Sequence, residues 1–119
     1  MEREITIGEK KIPMRATAAT ALRYREVFKE DLLARLDTAR KDLNSYGNIE
    51  LYERLAYIMA ASAEKKDMSK LSAADFDEWL DGFEFVDMIE AGIDIMNLYY
   101  GNKETTANAK KKADGQSGK

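Results

Sequence analysis

Two different hydrophobic periods succeed one another along this chain. From Met1 to Arg15, Ile5 and Ile7 stand among charged and polar neighbours, Gly8-Glu9-Lys10 offers a turn, and Ile12 and Met14 resume the alternation. A two-residue period on either side of a glycine turn predicts a short β-hairpin. Pro13 has no N–H to give to a ladder, so its strand belongs at an edge or is brief. A lone ribbon is not stable in water, so the hairpin must lie on something.

From Ala21 the period lengthens. Ala21, Tyr24, Phe28, Leu32, Leu36, Ala39 and Leu43 follow at steps of three or four, the spacing of one helix face. The stripe predicts a long first helix, capped by Thr17 or Thr20 and reaching about Leu43, with Lys29 to Asp31 as the place where it would break. Arg25 lies about 40° from Ala21, inside the stripe. Asn44 to Asn48 punctuate, with Asn48 as cap of a second helix over about Ile49–Ala63. Leu51, Leu55, Ile58 and Met59 share its face, and Ala56, Ala60 and Ala63 beside them admit a close neighbour, which predicts a central helix.

After a polar connection, Ser72 opens a capping box with Asp75, and Phe76, Trp79, Leu80 and Phe83 give a short helix with an aromatic face that Gly82 ends or bends. The last helix spans about Glu84–Tyr100. Phe85, Met88, Gly92, Ile95 and Tyr99 make one stripe, and Val86, Ile89, Ile93, Met96 and Tyr100 a second beside it. About 180° of the circumference is therefore apolar, where one packing seam needs roughly 100°. The surplus calls either for burial between two layers or for a surface that meets another molecule. Gly101 supplies a stop, and the residues after it carry no apolar period and are expected to be disordered. The expected fold is mainly α: a short N-terminal hairpin packed on a bundle of about four helices over 1–101, then a disordered Lys-rich tail, 102–119.

Composition removes most chemistry. The 119 residues suit one domain and contain neither cysteine nor histidine. Disulfides, thiolate nucleophiles and the usual neutral-pH proton shuttle are therefore absent. The serines sit in no Gly-x-Ser-x-Gly elbow and the glycines form no phosphate loop. Asp75, Asp77, Glu78 and Asp81 lie on a predicted amphipathic helix between hydrophobic anchors, and Asp87, Glu90 and Asp94 on the polar back of the last one, where a solvated face explains them better than a metal. No catalytic, cofactor or metal site is expected. No apolar run is long enough for a bilayer, and the first residues lack a secretory core, which predicts a cytoplasmic protein. Residues 1–100 carry 14 basic and 20 acidic side chains, an acidic body poorly suited to nucleic acid.

Partner-binding candidates are Arg25, Phe85, Met88, Ile95, Tyr99 and Tyr100. Arg25 either lays its stem along the core edge with its guanidinium in water, or is held in a groove by a carboxylate of another helix or partner. Arg23 and Lys29 read as surface charges. Methionines and tyrosines on the last helix suit a partner groove or homo-oligomer, since both adapt to varied surfaces.

With these residues in place, the chain resembles the small tail assembly chaperones of long-tailed phages and prophages, in the form common among Gram-positive hosts. The resemblance rests on Leu22-Arg23-Tyr24-Arg25, Phe28 and Asp31-Leu32, where the family favours Leu-Arg-Tyr-Arg and then Phe-Gly-x-Asp-Leu. Weaker support comes from Glu53-Arg54-Leu55-Ala56-Tyr57 with Met59-Ala60, and from Phe76, Glu78-Trp79-Leu80 and Phe83. Lys29 stands in place of the family's Gly, which fits a straighter helix here. The resemblance implies a non-enzymatic protein of the host cytoplasm that coats the tape measure protein, keeps it soluble and helps recruit tail tube subunits. In many relatives a frameshift yields a longer product, and Lys110-Lys111-Lys112 is compatible with an A-rich slippery run. The alternative is a small helical adaptor or regulator of a mobile element, acting by stoichiometric binding.

Overall fold

The computed structural model describes residues 1–39 and 46–117, with side chains placed over 1–39 and 48–101. Strands β1 (Glu2–Ile7) and β2 (Lys10–Arg15) pair antiparallel, with Ile5 opposite Ile12 and Glu4 opposite Pro13. Gly8 opens the two-residue loop at φ +65°, the first central position of a type II′ turn. Met1 and Ala16 exchange both backbone bonds, each 2.8 Å. Counting inward from that pair, Pro13 falls at a position where no ladder bond is made, so its missing N–H costs the ribbon nothing. Ile5, Ile7 and Met14 turn one face inward and are buried. On that face β2 lies on the central helix and β1 on the last one.

The first stripe forms two helices, α1 (Thr20–Phe28) and α2 (Leu32–Ala39). Lys29 breaks it by entering the left-handed region, φ 55°, with its N–H donating to the Arg25 carbonyl at 2.8 Å. This is the αL helix stop that usually employs glycine. The straight helix expected from the missing glycine is therefore not formed: the lysine takes the glycine's conformation. Two interactions hold it there. Asp31 caps α2, its Oδ1 accepting from the Leu33 N–H at 3.0 Å. Glu30 turns back over the buried Tyr24 and accepts its hydroxyl hydrogen at 2.6 Å. Neither Thr17 nor Thr20 caps α1 in the expected way: Ala19 is the cap residue, and the threonine hydroxyls bond among residues 17–20. Leu43 and the Asn44-Ser45 punctuation lie outside the described residues.

Helix α3 (Tyr46–Ala63) is the central element, and every residue from Leu55 to Ser62 is buried. It begins before Asn48, which is no cap. Its amide instead donates to the Ala39 carbonyl at 3.4 Å, tying the end of α2 to the start of α3. Lys65, at φ 58°, closes α3: its N–H reaches Ser62 and that of Lys66 reaches Ala61, the paired bonds of a Schellman motif. A 3-10 turn (Met68–Lys70) leads to α4 (Ala73–Leu80), where Ser72 Oγ accepts from the Asp75 N–H at 3.0 Å as expected.

Helix α5 (Phe85–Ser117) packs on α3 and β1. Its backbone continues through Gly101 to Ser117, so the expected stop is not used. A single glycine costs about 1 kcal/mol in a helix and does not by itself end one. The fold is thus mainly α, with five α-helices among the described residues and an N-terminal antiparallel hairpin.

Candidate functional site

Helix α5 carries two apolar stripes and the fold divides them: Met88, Gly92 and Ile95 of the first are buried, together with Ala91 and Leu98 from outside both, whereas Phe85 of the first and Val86, Ile89 and Ile93 of the second are exposed. Taking Ile89 as reference at about 100° per residue, Met88, Ala91, Ile95 and Leu98 point about 100–180° away from it. These four are buried against α3 and the hairpin. Phe85, Val86 and Ile93 lie within about 60° of Ile89 and form the outward side, while Met96 and Tyr100, near the same direction, are half-buried against the core. Phe85 is 50% exposed, Val86 61%, Ile89 40% and Ile93 74%. Burial between two layers, one of the two readings of the surplus, does not extend to Phe85, Val86, Ile89 and Ile93, which form a ridge facing water.

The borders of the ridge differ. Toward α3 they are phenolic. Gly92 allows the Tyr52 ring to lie so close that a Cβ there would stand 2.8 Å from Cδ2. Tyr99 and Tyr100 continue this border, their rings 5.8 Å apart. Burial, with a smaller repulsion from Tyr100, pushes the Tyr52 and Tyr99 hydroxyls above the ordinary tyrosine value. Toward the hairpin the border is acidic. Glu90, Asp94 and Asp87 fall about 100–160° round from Ile89 on the Val86 side. Asp87 and Glu90, with Glu9, Asp81 and Glu84, line an open cleft of about 710 Å³ between the hairpin turn and α5. Lys10 is its one cation, held by the Gly82 carbonyl at 2.6 Å and 4.9 Å above the Phe83 ring.

Of the sequence candidates, Phe85 starts the ridge and Tyr99 and Tyr100 border it. Met88 and Ile95 belong to the core, and a partner of the folded chain does not reach their side chains. Arg25 is exposed on α1. Its neighbour Arg23, read as a surface charge, is the arginine that reaches another helix: its Nη1 donates to Ser62 Oγ at 2.7 Å. Relative to Tyr24 the two stand at about 100° on opposite sides, and only the Arg23 side meets the end of α3. Val86, Ile89 and Ile93 are the ridge residues missing from the candidate set. Their signal was the second stripe, which periodicity alone does not orient.

Two further clusters are built for stability. Tyr24, Glu30 and Arg54 form a network across α1 and α3, with Arg54 Nη1 3.4 Å from Glu30, its Nη2 2.9 Å from Glu50, and its guanidinium 4.9 Å over the Phe28 ring. Phe28, Tyr57, Phe76, Trp79 and Phe83 pack ring to ring at 4.8–6.2 Å, joining α1, α3 and α4. Tyr57 donates its hydroxyl hydrogen to Asp75 at 2.6 Å. Burial first, and then that bond, raise its hydroxyl far above the ordinary value. Among the described residues no acidic group is arranged to hold a metal ion, and no helix is long and apolar enough to cross a membrane. No family model, curated protein or solved structure matches the chain.

Proposed function

We propose that this chain is a non-enzymatic assembly chaperone of the phage and prophage tail type, acting in the host cytoplasm. In this reading it binds the tape measure protein, keeps it soluble and, through a longer frameshift product, helps bring tail tube subunits to it. The observation that carries the reading is the outward ridge of Phe85, Val86, Ile89 and Ile93 on a helix whose other side is already packed. Soluble proteins seldom leave such side chains in one row unless something covers them. A helical client with an apolar stripe is the natural complement of a helix face, and docking on it would remove both stripes from water. The acidic body keeps many copies on one client apart and in solution.

The reading expects a tape measure protein encoded beside this gene, and co-expression with that protein tests it. Ile89→Asp and Ile93→Asp change side chains that already face water, so the fold is retained and the far-ultraviolet circular dichroism is unchanged. The soluble yield of the client is expected to fall several-fold with either variant. An equal yield with both variants and the parent chain rejects the ridge as the client site, and a client equally soluble without any chaperone rejects the function.

A further inference from the structure

From the asymmetry of the ridge we infer the chemistry of its occupant: an amphipathic helix whose apolar stripe is bordered by Lys or Arg on one side only. The inference rests on the reading of the ridge as the binding face and adds charge and direction to it. Glu90, Asp94 and Asp87 all stand on the hairpin side of Ile89 and Ile93, and the cleft beside them extends that border through Glu84, Asp81 and Glu9. Lys10, the cation there, is already engaged by Gly82 and Phe83. The opposite border, among the described residues, is phenolic: Tyr52 against Gly92, then Tyr99.

A helix laid along the ridge meets carboxylates on one flank and phenols on the other. Lysines on its first flank gain attraction there, and glutamates lose it. A helix with its basic flank on the wrong side must turn end for end to bring cations to the acids. The border therefore selects the direction of the docked helix as well as its charge. A second copy presenting the same ridge is the poorer occupant, because its own row of acids comes with it.

Two synthetic peptides test this on the full chain. Both carry the same leucine stripe; one has lysines along a single flank and the other glutamates at the same positions. Fluorescence anisotropy is expected to show the lysine peptide binding about tenfold more tightly at low salt, with the difference shrinking as salt rises. Replacing Glu90→Lys and Asp94→Lys together is expected to reverse the order, and Ile93→Asp to weaken both peptides. Equal affinities, or an order unmoved by the charge reversal, overturn the proposal. A dimer in sedimentation that Ile93→Asp dissolves, and that blocks both peptides, also overturns it, in favour of a second copy. If the lysine peptide binds as expected while co-expression leaves the tape measure protein insoluble, the chaperone reading falls and the occupant's chemistry stands.

Discussion

Replacing Gly92 by alanine sets two effects of known sign against each other. Alanine in place of glycine inside a helix is worth about 1 kcal/mol to α5. The added Cβ, however, stands 2.8 Å from Tyr52 Cδ2 and 3.1 Å from Cε2, closer than a methyl group and a ring can approach. These atoms belong to the body of the ring, so relief requires a rotation of the whole half-buried side chain or a separation of α5 from α3. Overpacking of this kind costs about 1–3 kcal/mol. The net expectation is a destabilisation of about 1 kcal/mol, read as a fall in melting temperature of about 3–5 °C for a domain of this size. Urea titration followed both by helix signal at 222 nm and by Trp79 emission measures it and checks that the transition is cooperative. The control is Tyr52→Ala. In that background the obstacle is gone, propensity alone remains, and Gly92→Ala is expected to stabilise by about 1 kcal/mol, an interaction of about 2 kcal/mol across the cycle. A Gly92→Ala chain that is more stable while Tyr52 is present refutes the claim that the glycine is there for the ring.

The two left-handed lysines give the opposite sign: Lys29→Gly and Lys65→Gly each relieve a Cβ penalty of about 1–2 kcal/mol, less the greater freedom glycine recovers on unfolding, so each is expected to stabilise by about 0.5–1 kcal/mol in urea titration. For Tyr57 the folded-state pKa lies above the ordinary value near 10, so the neutral phenol's contribution is complete below that pH and is lost as pH rises through and beyond it. Stability measured from pH 9 to 12 is expected to fall less steeply in Tyr57→Phe, which at neutral pH loses about 1 kcal/mol with the Asp75 bond. Arg23→Met is expected to cost about 1 kcal/mol through the Ser62 bond, whereas Arg25→Met stays within about 0.5 kcal/mol, and equal losses would show that the wrong arginine has been assigned.

Residues whose role is decided by their neighbours in the chain were legible in the sequence. The alternation of Ile5, Ile7, Ile12 and Met14 gave the hairpin and its inner face, Ser72 and Asp75 gave the start of α4, and Ala56, Ala60 and Ala63 beside Leu55, Ile58 and Met59 gave the central helix. The break at Lys29 to Asp31 was legible as a place, but lysine disfavours the left-handed region, so the residue that makes the turn was not; Glu30 closing on Tyr24 and Asp31 capping α2 fix it. The rest of what stayed hidden depends on partners distant along the chain. Arg23 and Arg25 flank Tyr24 symmetrically, and Ser62, 39 residues away, distinguishes them. The two stripes of α5 are equivalent by periodicity, and the hairpin and α3 between them select which residues are covered. That selection moved the candidate surface from Met88 and Ile95 to Ile89 and Ile93.

Because α3 from Leu55 to Ser62 has no side turned to water, the residues that set the architecture and the exposed row on α5 lie in separate places. Inserting one residue into that stretch would rotate everything beyond it by about 100° and undo the packing of several elements together. Exchanging letters on the outside of α5 would disturb almost nothing within. The outer row is thus open to change, one tolerated substitution at a time, while the interior stays as it is.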